Sequence, residues 1–364
     1  MNFEKQNLLQ ISHNFMPKDI FLSDFNTHSV RDWEKSAQHE LGNKNLSENL
    51  TKAKHATTIK PYYDSSDSVE EKKLRFSSTA SWLNVPKVII SDEKKANDEA
   101  LTHLNTGADG IWFEISQAVQ ANKLLDEIEL SACSLYFSSK DDVQLNLIAD
   151  FIESKSMNDK ISGAFFTEEK NIISRTKSWK NFHSQGIIVK QNVNIVDEIV
   201  DSLLTTVDRV EELMKEDFSA EEAFHSLAYS ITVGTDFFLS IAKVRALKNL
   251  YITLQEAYQI KSLMPAFVHG HSLPWIKESF QPHGNMLKQT TAAMACAMSG
   301  CSAVTIEPET SGNNTMTRIA RNVSLMLREE SHLAKVNDPL AGSFYVDALT
   351  HQIASEAWKK FQER

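Results

Sequence analysis

GIWFEISQAVQANKLLDEIELSACSLYFSS, residues 110–139, carries the unit from which the chain is built. A strand-like run, GIWFEI, opens it at Gly110. A helical segment at Gln117–Glu127 follows, and a second strand-like run, CSLYFSS, begins at Cys133. The same alternation extends in both directions. Further strand-like runs begin near Lys87 (KVIIS), Ile161 (ISGAFFTE), Gly186 (GIIVKQ), Leu227 (LAYSIT), Ala266 (AFVHG) and Ala303 (AVTIEP). Between them lie helical patterns at Glu93–Asn105, Asp142–Ser154, Ile172–Phe182, Val196–Met214, Phe237–Tyr258 and Gly284–Met298. Strands that alternate with helices call for a parallel sheet with crossover helices. Eight such units are the count of a closed barrel, so the expected fold is α/β, a (β/α)8 TIM barrel. An open doubly wound sheet usually carries a Gly-rich first turn; none is present, and the chain holds only 11 glycines.

The flanks are organised differently. Residues 1–75 are polar and broken, with two short amphipathic helices expected at Val30–Leu41 and Leu46–His55. Nothing there can bury a core by itself, so this N-terminal helical extension arm is expected to pack on the barrel or on a partner. The barrel is expected at 76–335, and a C-terminal helix with the start of a linker at 336–364. The stretch Arg318–Thr350 reads RIARNVSLMLREESHLAKVNDPLAGSFYVDALT. Met316, Ile319, Ala320, Val323 and Leu327 fall on one helical face, with Thr310, Ser311, Asn313 and Asn314 available as caps. A turn from Asp338-Pro339 to Gly342 leads into a second amphipathic helix.

Bulk properties narrow the function classes. The 364 residues are 41% hydrophobic and 24% charged, an ordinary globular composition. A formal net charge of -10, with no basic run, argues against nucleic acid as a partner. Cys133, Cys296 and Cys301 show no zinc or redox spacing and fit a reducing compartment. No secretory leader pattern opens the chain, and no apolar run approaches the roughly 18 residues that span a membrane. A cytoplasmic protein without membrane contact is the expectation.

Barrel strands send alternate side chains inward. Trp112-Phe113, Tyr136-Phe137 and Phe165-Phe166 are adjacent aromatic pairs on three consecutive strands, so one ring of each is expected in the lumen. Such rings argue against an open axial tunnel. The C-terminal strand ends, where active sites of this fold sit, hold Asp92, Glu114, Ser138, Ser139, Glu168, Lys190, Thr232, His269, His271, Glu307 and Glu309. His269 and His271, at alternate positions, can share a face as acid and base or as metal ligands; hydrogen-bonded structural histidines are the plainer alternative. No third ligand is apparent, so no metal site is assigned. Lys190 is a candidate Schiff-base lysine, which would make the chain an aldolase-like lyase; a solvated or salt-bridged lysine is the alternative. Arg318, Arg321 and Arg328, beside Glu329 and Glu330, fit ion pairs better than a phosphate clamp.

As strings, several segments are more specific. DWEKSAQHEL (Asp32–Leu41), TIKPYYDSSD (Thr58–Asp67), TVGTDFFLSIAKVRALKNL (Thr232–Leu250), the Arg318–Thr350 stretch and SFYVDALTHQIASEAWKKFQ (Ser343–Gln362) occur in this order. With them the chain resembles the methylmalonyl-CoA mutase family. That resemblance implies an isomerase of methylmalonyl-CoA and succinyl-CoA that uses adenosylcobalamin. Catalytic chains of the family hold cobalt through a histidine in an Asp-x-His-x-x-Gly motif. None of the 12 histidines here has an aspartate two positions before it, and the chain stops at Arg364, where the linker to a cobalamin domain would begin.

The barrel departs from the catalytic pattern too. The first strand region, FSSTASWLNVPKVIISDEKKANDEAL (Phe76–Leu101), lacks the expected substrate-holding segment. ANDEAL and GADGIWFEI are instead at home in the small, non-catalytic subunit of heterodimeric bacterial mutases. Strand seven of catalytic chains reads Arg-Thr-His-Cys-Gln; here FVHGHSLP places Phe267 at the arginine and His271 at the glutamine, while His269 keeps the histidine. A phenylalanine cannot pair with a carboxylate or phosphate. The resemblance therefore implies a subunit that binds no cofactor alone and forms a heterodimer with a catalytic large subunit carrying adenosylcobalamin. A free-standing barrel enzyme, or a truncated form of a longer mutase subunit, are the alternatives.

Overall fold

Pro86 divides the first barrel strand, and that division accounts for how the sheet closes. The computed structural model describes residues 28–54, 57–68, 81–167, 177, 179–273, 283–310 and 312–364. Glu168, Ser311 and, of the helix expected at 172–182, residues 172–176 and 178 lie outside the described residues, while Asn181 and Phe182 begin a strand instead of ending that helix. The chain divides into two compact units: Met1–Lys52 with Thr58–Asp64, and Ala53–Thr57 with Ser65–Arg364.

In the first unit, helix α1 spans Val30–Leu41 as expected. The Ser29 hydroxyl accepts from the Asp32 N–H and the Asp32 carboxylate accepts from the Ser29 N–H, a reciprocal cap. Helix α2 covers Leu46–Leu50 only, shorter than expected, because Thr51 turns extended and a strand, β1, follows at Lys52–Lys54. A second short strand, β2, is Thr57–Ile59. Trp33 stacks on Tyr62 within this unit at 5.3 Å.

The second unit is the barrel. Its elements in order are β3 (Leu83–Asn84), β4 (Lys87–Ile89), α3 (Glu93–Leu104), β5 (Gly110–Ile115), α4 (Ala121–Leu124), β6 (Ser134–Ser139), α5 (Asp142–Ser154), β7 (Ser162–Thr167) and β8 (Asn181–Ile188). Then come α6 (Ile195–Lys215), α7 (Ala220–His225), β9 (Leu227–Thr232), α8 (Phe237–Ala257), β10 (Phe267–His271), α9 (Gly284–Met298), β11 (Ala303–Thr305), α10 (Asn314–Leu325) and α11 (Phe344–Gln362). Asp92, Asp141, Asn194, Asp236 and Asn313 each accept a backbone N–H at a helix start, so the polar residues before the apolar runs set where the helices begin.

Nine strands run parallel in the order β3-β11-β10-β9-β8-β7-β6-β5-β4. The first and last in that order are consecutive in sequence. Leu83 pairs with Ala303 on one side, and Lys87 pairs with Trp112 on the other. Pro86 has no N–H to donate and interrupts the ladder, while its carbonyl still accepts from Trp112 N at 2.9 Å. Residues 83–89 thus act as one barrel strand in two pieces. The eight expected strands are all present, and their ring closes through Val85-Pro86.

Outward-facing Val88, Phe113, Phe137 and Phe165 join Ala100, Leu145, Ile148 and Ile152 of the helices in the larger core. Inward-facing Val85, Trp112, Tyr136, Ala164, Phe166, Ala228 and Ala303 form a separate cluster in the lumen. One member of each aromatic pair lies on each side, as alternation requires. Glycine permits one tight approach: a Cβ on Gly163, at φ +136°, would sit 1.8 Å from the Leu135 carbonyl oxygen.

Helix α11 belongs to the same compact unit and packs on α6 and α8. Arg245 of α8 reaches Asp347 of α11 at 3.0 Å and Asp338 of the preceding turn at 3.3 Å. Arg328 pairs with Asp109 at 2.6 Å and Glu329 at 2.9 Å, so it serves as an ion-pair partner. No described helix is long and apolar enough to cross a membrane.

Candidate functional site

A cavity of about 750 Å³ opens at the C-terminal ends of the strands. Its wall carries Lys87, Glu114 and Glu307; Trp112, Ser138, Ser230 and His271 lie deeper; Gln117, Lys140 and Asp141 stand at the rim. Strand register explains the grouping. Lys87 lies level with Trp112, and Glu114 follows two residues later on the same inward face.

Lys87 forms an ion pair with Glu307 and a second with Glu114 at 3.3 Å. Burial opposes the Lys87 charge, but the two carboxylates outweigh it and raise its pKa above the ordinary value. Glu307 is shifted upward as well, by burial acting against the pull of Lys87. The ammonium is therefore held protonated and unfit as an amine nucleophile. Its Nζ also stands 5.4 Å from the Trp112 ring centre.

The two histidines have separate places. His271 lines the cavity, with Nε2 3.4 Å from the Thr232 hydroxyl. Burial, then the positive charge of Lys87, lowers its pKa to about 4, so the ring is neutral at physiological pH. His269 sits beneath, fully buried. Its Nε2 lies 2.8 Å from the Thr305 hydroxyl and its Nδ1 3.2 Å from that of Ser230. Thr305 donates its one hydroxyl proton to the Val85 carbonyl, so His269 donates from Nε2 and accepts at Nδ1. Burial holds this histidine well below the ordinary range. Both its nitrogens are committed, which leaves no lone pair for a metal.

His269 is also part of an aromatic plug. Its ring centre is 4.9 Å from Trp112, 5.6 Å from Phe166 and 5.8 Å from Tyr136. Phe267 stacks on Tyr136 at 6.0 Å. Tyr136, Phe166 and His269 have no solvent exposure. The cavity therefore ends on a packed floor and does not run down the barrel axis.

Of the other strand-end residues, Glu114, Ser138, Ser139, His271 and Glu307 line the cavity, and Lys190 is exposed beyond β8 and outside the lining. Sequence reasoning missed Lys87, which opens the KVIIS run and reads as strand body. Inward alternation from Val85 was the signal that could have found it. It also missed Lys243 of α8, buried with its Nζ 2.7 Å from Glu198 and 2.9 Å from the Thr232 carbonyl. Among the described residues, no three His, Cys, Asp or Glu side chains gather as a metal site.

A family model described as methylmalonyl-CoA mutase matches residues 175–363. The methylmalonyl-CoA mutase small subunit of Porphyromonas gingivalis is 29% identical over 328 residues, which is 77% of this chain and 52% of that protein. The small subunit from Streptomyces virginiae is 36% identical over 186 residues, 50% of this chain and 29% of that protein. The matched part of this chain thus spans about half of those relatives' length or less. The family match covers more than half of the 364 residues, includes the α8 and α11 segments joined by Arg245 and Asp347, and ends in the barrel's last helix. The chain belongs to the methylmalonyl-CoA mutase family.

Proposed function

We propose that this chain is a small-subunit-type barrel of an adenosylcobalamin-dependent methylmalonyl-CoA mutase, non-catalytic itself, that pairs with and stabilises a catalytic large subunit. The observation that carries the reading is the plug. A catalytic barrel must thread a pantetheine arm along its axis, and here Trp112, Tyr136, Phe166, Phe267 and His269 fill that path. Phe267 stands where the resemblance expects an arginine, and it stacks on rings instead of offering a charge. The cavity's charged wall points the same way. Lys87 is neutralised by two carboxylates, and a wall with two carboxylates repels an anionic thioester.

The residues do not fit cobalt ligation at His269, because both ring nitrogens are engaged by hydroxyls. Cobalamin chemistry belongs, on this reading, to the partner. The small-subunit names of the relatives support such a partner, and the unit containing α1 and α2 is the segment we assign to embracing it.

Co-expression with a cobalamin-bearing large subunit from the same genome tests the reading. A stable heterodimer whose mutase activity exceeds that of the large subunit alone supports it. A strict monomer or homodimer under those conditions overturns it.

A further inference from the structure

Cys296 and Cys301 look unrelated in sequence, at a spacing that marks neither a zinc site nor a redox motif. The fold brings them together. Helix α9 ends just after Cys296, and a turn through Ser299 and Gly300 (φ +74°) folds the chain back so that Cys301 N donates to Cys296 O at 3.0 Å. The two side chains then enter one space under β10. A Cβ on Gly270 would lie 2.7 Å from the Cys296 sulfur and 2.8 Å from the Cys301 sulfur. Only a glycine at 270 leaves room for both.

We propose that Cys296 and Cys301 are a dithiol that a peroxide converts to an intramolecular disulfide within the folded barrel, and that a thiol reductant restores. The surroundings favour Cys301 as the first to react. Interaction with the Cys296 side chain lowers the Cys301 pKa against the opposing effect of burial. The cations of Lys248 and Lys243 act in the same direction. Lys248 is pinned beside the turn by a 2.6 Å hydrogen bond to the Gly300 carbonyl.

The chemistry balances with one equivalent of peroxide. The Cys301 thiolate attacks a peroxide oxygen, the O–O bond breaks, and the departing hydroxide takes the thiol proton as water. The resulting sulfenic acid is attacked by the Cys296 sulfur. The S–S bond forms, the S–O bond breaks, and the hydroxyl leaves with the Cys296 proton as a second water. Two thiols lose two electrons and one peroxide gains them. Cys133 takes no part: it lies outside this pair, and burial pushes its pKa up to about 11.

The test is a thiol count on the full folded chain after hydrogen peroxide, followed by denaturation, alkylation and peptide mass mapping. The expected result is alkylation at Cys133 alone, a single tryptic peptide holding both Cys296 and Cys301 unalkylated and two hydrogens lighter than its reduced form, and three alkylated thiols again after reduction. Circular dichroism during oxidation should stay that of the reduced protein. In C296S, peroxide should leave Cys301 as a sulfenate that dimedone traps. Three alkylated thiols after peroxide, linkage through Cys133 or between chains, or oxidation only after unfolding would each overturn the proposal.

Discussion

The Phe267 ring lies 6.0 Å from the Tyr136 ring, with an interplanar angle of 26°. Strands β10 and β6 stand on opposite sides of the barrel, separated in the sheet order by β9, β8 and β7 on one path. The contact is therefore made across the axis, and it is what turns a lumen into a floor. Close-packed interiors leave no room for a ligand chain through such a contact.

Phe166 is fully buried in that floor and stacks 6.4 Å from Tyr136 and 5.6 Å from His269. Phe166→Ala should cost about 3–5 kcal/mol through lost burial and a residual cavity. A urea titration reads this as a lower midpoint at unchanged slope. A variant as stable as the parent would mean that the lumen is loosely packed.

Lys87 faces Glu307 and Glu114 from a mostly buried position. Lys87→Met leaves two carboxylates close together without a counter-charge, at a cost of about 3 kcal/mol. Adding Glu307→Gln should recover part of that loss, and a double-mutant cycle measures the coupling. Additive losses would show that the pair is energetically idle.

Stability should fall in mild acid. His271 has a folded pKa of about 4 against an ordinary 6.5, set first by burial and then by Lys87. His269 is displaced in the same direction. Below pH 6.5 the unfolded chain takes up protons that the folded rings refuse. The stability present above that value is lost progressively as pH falls toward about 4. The Lys87 contribution runs oppositely: it is complete below the ordinary value of 10.5 and lost as pH rises through the higher folded value. Urea midpoints at a series of pH values check both limbs, and His271→Gln should flatten the acid one.

Gly270→Ala places a Cβ against two sulfurs at 2.7 and 2.8 Å. Overpacking of this kind costs typically about 1–3 kcal/mol. Thermal unfolding should show a lower midpoint, and pairing the change with Cys296→Ala and Cys301→Ala together should restore much of it. No rescue would place the strain elsewhere in β10.

Much of the barrel was legible because its signals are local. An apolar run such as GIWFEI between polar turns, and Asn313 before a helical face, report structure from neighbours in sequence. The adjacent aromatic pairs foretold a ring in the lumen from each strand, because alternation holds in any register. What escaped were residues whose role depends on distant partners. His269 reads as a rim histidine until Ser230 and Thr305 are seen on both sides of it. Lys87 reads as strand body until Glu307, far along the chain, meets it.

The amino-acid sequence by itself determined the alternation of strands and helices, the cap at Asn313, the aromatic content of three neighbouring strands and the family. Each of these rests on short-range periodicity or on a contiguous string. Only the tertiary structure decided that Pro86 splits the strand that closes the ring, that Phe267 meets Tyr136 across the axis, and that Cys296 and Cys301 share the space left by Gly270. Closing a barrel sets which inward residues lie at the same height, and that depends on register summed around the whole sheet, which no single segment encodes.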